Sequence, residues 1–203
     1  MAPVMCTIEA TDLSIVRVAY PYCDTCSVHS GFYKAEQQVI GDVFEQVTKL
    51  VSEHSGATIM VTGHSLGAAL ATLTAIDLKD KFQSSAVELY TYGCPRIFNQ
   101  DGANFASAAI GTHYRRTHYK DMVVHVPPMA TGFVHTSGEV YEDGPISSYP
   151  NYPGGPMKSC SGEEDETCAD QYNGMSVPDH LLYEGIPLGS SDDSCAYAQN
   201  PPF

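Results

Sequence analysis

The segment VTGHSLGAAL, residues 61–70, constrains the fold more than any other part of this chain. It places Ser65 between Gly63 and Gly67, directly after the β-forming run ATIMVT and directly before a helix-forming run rich in Ala and Leu. Glycines lack a Cβ, so they let a strand turn sharply into a helix and hold a serine in a strained conformation above a sheet. A small residue in a tight turn is the alternative, but this context predicts a nucleophile elbow.

Strands and helices are predicted to alternate on both sides of this elbow. Apolar residues recur at spacings of three and four between Tyr33 and His54, which predicts a core-facing helix, and DLSIVRVAY before it alternates as a strand does. After the elbow we expect strands at AVELYTYG and THYRRTHY, a helix at NQDGANFASAAIG, and a hairpin of GFVHTS and EVYED around Gly138. This alternation indicates an α/β protein with a mostly parallel central sheet and helices on both faces.

The size and charge of the chain narrow the classes further. A length of 203 residues predicts a single domain, residues 1–203, with a sizeable core. A formal net charge of −14 disfavours nucleic acid and anionic lipid headgroups as partners, so a neutral or interfacial substrate fits better. No apolar run approaches the roughly 20 residues that a transmembrane helix needs.

A serine hydroxyl becomes a good nucleophile when a histidine takes its proton and a carboxylate orients that histidine. On a sheet of this kind the three follow in the order Ser, Asp or Glu, His. Asp121 is the candidate carboxylate, because it follows a predicted strand at the sheet edge where catalytic carboxylates lie, although a plain turn residue is the alternative. Asp77 and Asp80 belong to the helix that the serine starts, and we expect them to be solvated surface charges.

Three histidines downstream are candidates for the base. His180 stands in VPDHLLYEG, where a loop after a proline can bring the ring over the sheet, and is favoured. His135 lies inside a predicted strand, where a histidine is more often structural, and His125 is very near Asp121 in sequence. At the start of the helix, the backbone N–H of Leu66 is expected to donate to an oxyanion, helped by the helix dipole.

Six segments, taken in order, resemble successive blocks of the fungal class 3 lipases. They are VHSGFY, VTGHSLGAALATLTAIDL, YGCPR, YRRTHYKDMVVHVPP, GFVHTSGEVY and DHLLYEG, and they cover nearly the whole chain from about Asp12 onward. The family has the α/β-hydrolase fold and includes mono- and diacylglycerol lipases and feruloyl esterases. Residue by residue, the resemblance implies that Ser65 is the nucleophile, Asp121 the orienting carboxylate and His180 the general acid-base. It also implies that Leu66 is the oxyanion donor, that His64 is a structural neighbour of the nucleophile, and that His135 is not catalytic.

This resemblance also implies an activity and its setting. A member would be a secreted, monomeric serine carboxylic-ester hydrolase that acts on acylglycerols at a lipid–water interface through an acyl-enzyme. It would need no metal and no organic cofactor. A feruloyl or related cell-wall esterase is the alternative within the same chemistry, because substrate choice in the family lies in the lid and the acyl groove.

Seven cysteines suggest an oxidising compartment. The resemblance implies one disulfide between Cys160 and Cys168 and another between Cys23 and Cys26. The C-x-x-C pair could instead be half of a redox or zinc site, but no two further zinc ligands at comparable spacing are evident. The pairing of the remaining three stays open: Cys6, Cys94 and Cys195.

The sequence departs from the family pattern at its N-terminus. Family members carry further strands, an F-R-G-[ST] motif and a lid helix before the block that ATDLSIVRVAYP resembles, and no signal peptide precedes that block here. The motif supplies a second oxyanion donor, and losing one such donor costs about 10²- to 10³-fold in rate. We therefore expect an N-terminally truncated hydrolase fold with an uncovered sheet face and strand edge, and a catalytically impaired product of a lipase gene is a third hypothesis.

Overall fold

The computed structural model describes residues 15–145 and 154–188. Two short strands, β1 (Arg17–Ala19) and β2 (Ser27–His29), form an antiparallel pair. The central sheet has five strands in the spatial order β3-β4-β5-β6-β7. They are β3 (Ile59–His64), β4 (Val87–Tyr92), β5 (Thr112–His118), β6 (Glu139–Glu142) and β7 (Met157–Ser159).

Strands β3 to β6 pair in parallel, and β7 adds to β6 in antiparallel orientation. The predicted mostly parallel sheet is therefore confirmed. A last short antiparallel pair follows, β8 (Leu182–Tyr183) with β9 (Ile186–Pro187).

The main helices are α1 (Ser30–Glu53), α2 (Leu66–Lys81) and α3 (Gln100–Ile110), and a four-residue helix, α4 (Val177–His180), follows later. Side chains cap α1 and α3: the Phe32 N–H donates to His29 Nδ1 at 3.3 Å, and the Gly102 N–H donates to Asn99 Oδ1 at 3.1 Å. Helix α2 is rich in alanine and buried along most of its length. It packs against β3, β4, α1 and α3, and so forms the centre of the core.

The three long helices described here lie on one face of the sheet. Strands β3, β4 and β5 are spatial neighbours in chain order, and right-handed crossovers between parallel strands put α2 and α3 on the same side, where they pack together. On the opposite face Met60 is 67% exposed and Tyr114 is 46% exposed. The predicted α/β class is confirmed, but the described residues show helices on one face of the sheet only. Strand β3 is an edge strand of the described sheet.

The predicted hairpin around Gly138 is wrong. Residues Glu139–Glu142 form β6, which pairs in parallel with β5 instead of folding back on GFVHTS. Within GFVHTS, Val134 makes an isolated bridge to Phe98.

Both implied disulfides are present, Cys23–Cys26 and Cys160–Cys168. Cys94 is a buried free thiol, and burial raises the pKa of this thiol to about 12, so it stays protonated. Cys6 and Cys195 lie outside the described residues. Within the described part of the chain, no helix combines the length and the apolar character needed to span a bilayer.

A pair of carboxyl groups lies buried between α1 and α2. Glu36 has no exposed surface and Asp77 is 9% exposed, so the prediction that Asp77 is a solvated charge is wrong, whereas Asp80 is exposed. The Tyr22 hydroxyl donates to Asp77 Oδ1 at 2.6 Å, and Gln37 Nε2 donates to Glu36 Oε2 at 2.9 Å. Burial raises the pKa of Glu36 to about 7, with the charge of Asp77 acting in the same direction, and burial also raises the pKa of Asp77.

Candidate active site

Ser65 occupies the turn between β3 and α2 in a strained backbone conformation. Its φ of 58° and ψ of −129° lie in a region that residues with a Cβ rarely adopt, and its N–H donates to Tyr92 O at 3.0 Å. A Cβ added at Gly63 would lie 2.2 Å from Gly67 O, so only glycine fits there. At Gly67 a Cβ would meet no described atom within 4 Å, so the expected need for two glycines is corrected to one.

The start of α2 provides a backbone donor beside Ser65. Leu66 is the first residue of the helix, so its N–H is one of the four that have no acceptor within the helix. The positive end of the helix dipole lies at the same place and favours an anion. The position therefore suits an oxyanion that forms on a group bonded to the serine.

Asp121 and His180 form a buried hydrogen-bonded pair. Asp121 has no exposed surface, and its Oδ2 accepts a hydrogen bond of 2.9 Å from His180 Nδ1, while its Oδ1 accepts one of 2.7 Å from the Val123 N–H. Because Nδ1 carries the proton given to Asp121, Nε2 of a neutral His180 is free to accept one. Helix α4, whose N-cap Ser176 accepts from the Asp179 N–H at 3.1 Å, ends at His180.

Two residues that the sequence analysis missed complete this pair. The Tyr183 hydroxyl donates to Asp121 Oδ2 at 2.5 Å, and burial raises the pKa of Tyr183 well above its ordinary value, which keeps it a neutral donor. Gly93 has a φ of 58°, and a Cβ there would lie 2.8 Å from His180 Nδ1 and 2.9 Å from Asp121 Oδ2. Their signals were a tyrosine three residues after the candidate base and a glycine directly after β4.

His64 joins the elbow to the segment that carries the candidate base. Its ring stacks on the His180 ring with centroids 4.5 Å apart and planes at 28°, and its Nε2 donates to His180 O at 2.8 Å. Burial lowers the pKa of His64. The residue implied as a neighbour of the nucleophile therefore also contacts the candidate base.

The two histidines that were not favoured have other partners. His135 is almost fully buried, its Nε2 donates to Val124 O at 2.7 Å, and burial lowers its pKa well below the ordinary value. The Nδ1 of His125 lies 3.6 Å from Asp170 Oδ1. Both rings are thus held in the structure by groups outside the Asp121–His180 pair.

In the described residues, the serine elbow, the Asp121–His180 pair and the N-terminus of α2 lie together at the carboxyl ends of the parallel strands. In this part of the chain the Ser65 hydroxyl makes no hydrogen bond to the His180 ring. Such bonds are often long before substrate binds. One cluster of metal-ligating residue types occurs among the described residues, at Glu139, Cys160 and Cys168, but the two cysteines are joined in a disulfide and offer no thiolate.

This geometry has the components of acyl transfer. A strained serine, a histidine whose free nitrogen can take a proton, a buried carboxylate and a helix N-terminus are the groups that form and stabilise a tetrahedral intermediate.

Comparisons with known proteins point the same way. Residues 5–131 match the family model Lipase (class 3). The chain is 37% identical to secreted mono- and diacylglycerol lipase 1 of Fusarium solani over 78% of this chain and 46% of that protein. It is 36% identical to a lipase of Rhizomucor miehei over 88% of this chain and 48% of that protein. The chain thus spans about half the length of these curated relatives.

A solved structure agrees with the sequence relatives. It is that of a triacylglycerol lipase whose catalytic centre is a serine protease triad, and it superposes with a TM-score of 0.78 and 33% identity over 88% of this chain and 67% of that one. The fold, the elbow and the matched family model together place this chain in the class 3 lipase family, with the α/β-hydrolase fold.

Proposed function

We propose that this protein hydrolyses carboxylic esters of acylglycerols with Ser65 as nucleophile, His180 as general acid-base and Asp121 as the carboxylate that orients it. The observation that carries the proposal is the buried Asp121–His180 hydrogen bond of 2.9 Å beside a strained serine elbow in a member of the class 3 lipase family. Names of relatives support the substrate class, since they are mono- and diacylglycerol or triacylglycerol lipases.

The reaction proceeds in two halves. Nε2 of His180 takes the hydroxyl proton of Ser65 while Oγ attacks the ester carbonyl carbon, and the Leu66 N–H donates to the oxyanion. The alcohol then leaves with the proton from His180, which gives an acyl-enzyme. Water repeats the sequence on the acyl-enzyme, releases the carboxylic acid and restores Ser65.

Mutation of the serine tests the chemistry. With tributyrin in a pH-stat, Ser65→Ala should lower turnover by at least about 10³-fold, because the acyl-enzyme cannot form. Ser55→Ala, at an exposed serine after α1, is the matched control and should keep wild-type activity. Turnover by Ser65→Ala equal to that of the wild type would overturn the assignment.

A second substrate tests the class. Methyl ferulate in the same assay separates a lipase from a feruloyl esterase, and the proposal expects the glyceride to be preferred by kcat/KM. Wild-type turnover near the Ser65→Ala background on both esters would instead support a catalytically impaired product.

We also propose that the protein is secreted and monomeric. Two disulfides suit an oxidising compartment, and the Fusarium solani relative is named as secreted. Size-exclusion chromatography with light scattering tests the monomer, for which a mass near 21.9 kDa is expected. Fractionation of the producing culture tests secretion.

A further inference from the structure

We propose that His64 is a positioning residue that holds the His180 ring in place relative to Ser65, a role that rests on the proposed ester hydrolysis. His64 is the last residue of β3 and directly precedes Ser65, so its backbone is fixed to the elbow. Its side chain reaches the segment of His180, which lies 116 residues further along the chain. One side chain therefore links the backbone of the nucleophile to the base.

Two contacts of His64 act on the base itself. Nε2 donates to the carbonyl oxygen of His180 at 2.8 Å, which fixes the backbone at the end of α4. The stacked ring, 4.5 Å away at 28°, covers one face of the His180 imidazole. The hydrogen bond from His180 Nδ1 to Asp121 still lets the imidazole ring turn about the hydrogen-bond axis. The stacked His64 ring restricts this turning, so the direction in which His180 Nε2 points is fixed.

The charge of His64 matters for the same reason. A carbonyl oxygen only accepts, so Nε2 of His64 carries a proton, and the neutral ring has an unprotonated Nδ1. Burial lowers the pKa of His64, the hydrogen bond to His180 O raises it, the ring of His180 lowers it when charged, and Asp121 raises it. Among the described residues, Tyr183 lies edge-on to this ring at 6.0 Å, and Tyr92 is the register partner of His64 in β4.

Catalysis creates a positive charge against this ring. When His180 takes the proton of Ser65, its imidazolium lies 4.5 Å from the centre of the His64 ring. A neutral aromatic face accommodates a stacked cation, whereas a protonated His64 would repel it. The neutral form of His64, which burial favours, is therefore the form that suits the imidazolium of His180 during reaction.

The test uses His64→Ala, His64→Gln and the wild type with a soluble p-nitrophenyl butyrate substrate. His64→Ala should lower kcat by about 10- to 100-fold with KM changed less than about twofold, because a misplaced base slows chemistry more than binding. His64→Gln keeps an N–H that can reach the carbonyl but lacks the stacked ring, so it should recover only part of the kcat. His54→Ala, at an exposed histidine after α1, is the matched control and should behave as the wild type.

The split between kcat and KM, together with rescue by His64→Gln, gives a readout that a purely structural role would not move. A loss of folded protein would lower the active fraction without this pattern, whereas positioning predicts a kcat that rises from His64→Ala to His64→Gln to the wild type, with KM changed less than about twofold. Wild-type kcat in His64→Gln would overturn the role of the stacked ring even if His64→Ala does not fold. Equal kcat for His64→Ala and wild type would also overturn it.

Failure of the proposed function would look different. In that case Ser65→Ala would retain the activity of the wild type, or the wild type would show no ester turnover at all. If ester turnover depends on Ser65, the differences in kcat among the His64 variants report on the positioning of His180 alone.

Discussion

The carboxyl pair of Glu36 and Asp77 should make this protein lose stability as the pH rises through neutrality. The pKa of Glu36 is about 7 in the folded protein against an ordinary 4.5. Because the folded-state pKa is the higher one, the stabilising effect is complete below about pH 4.5 and is lost as the pH rises through about 7. At 1.36 kcal/mol for one pKa unit, the upper limit of the loss is about 3.4 kcal/mol.

A cavity next to the pair, open to water, reduces this figure. A cavity of about 430 Å³ is lined by Asp77 together with Tyr33 and Gln37, and it is large enough to hold water that screens the charges. We therefore expect the pair to cost the folded state about 1–2 kcal/mol between pH 5 and pH 8.

Denaturant unfolding followed by circular dichroism at pH 5, 6, 7 and 8 measures this effect. In Glu36→Gln the amide oxygen can accept from Gln37 and the amide nitrogen can donate to Asp77, without a proton to lose. This variant should therefore have a flatter pH dependence than the wild type. Glu45→Gln, at an exposed position of the same helix, is the matched control.

The difference between variants decides the matter, because burial also raises the pKa of Asp170 to about 7 and adds a slope of its own. If Glu36→Gln and Glu45→Gln lost the same free energy of unfolding between pH 5 and pH 8 as the wild type, the raised pKa of Glu36 would be refuted.

Two further predictions concern the elbow and the buried pair, and denaturant unfolding measures both. Gly63→Ala should destabilise by about 2–3 kcal/mol or more, because its Cβ would lie 2.2 Å from a backbone oxygen, whereas Gly67→Ala should stay within about 1 kcal/mol of the wild type. Equal effects of the two would contradict the steric argument. Tyr183→Phe removes the donor to Asp121 and should cost about 1.5–3 kcal/mol, and an unchanged midpoint would show that this hydrogen bond contributes nothing.

Local signals in the sequence were sufficient for the elbow and for most of the sheet. The conformation of residues 63–67 can be predicted locally, because a strand, a tight turn and a helix follow one another directly in the chain. The family resemblance and the order of residue types then pointed to Asp121 and His180. In the structure, His180 Nδ1 lies 2.9 Å from Asp121 Oδ2.

Features that depend on distant partners were missed. Asp77 looked solvated on its own helix, and its burial comes from α1, whose Glu36 lies beside it. Strand β6 looked like half of a hairpin with the segment before it, and its true pairing with β5 joins residues more than twenty positions apart. Tyr183 was visible as a tyrosine near the candidate base, but nothing local shows that its hydroxyl reaches Asp121.

Gly93 limits how this site can vary during evolution. The space that a Cβ would fill there is occupied by the hydrogen-bonded atoms of His180 and Asp121. A Cβ would lie 2.8 Å from His180 Nδ1 and 2.9 Å from Asp121 Oδ2. Each of the other nineteen amino acids carries that Cβ, so a saturation library at position 93 should yield active members only with glycine. Sequence change around the site is therefore constrained by a residue that contributes no functional group, in addition to those that carry the chemistry.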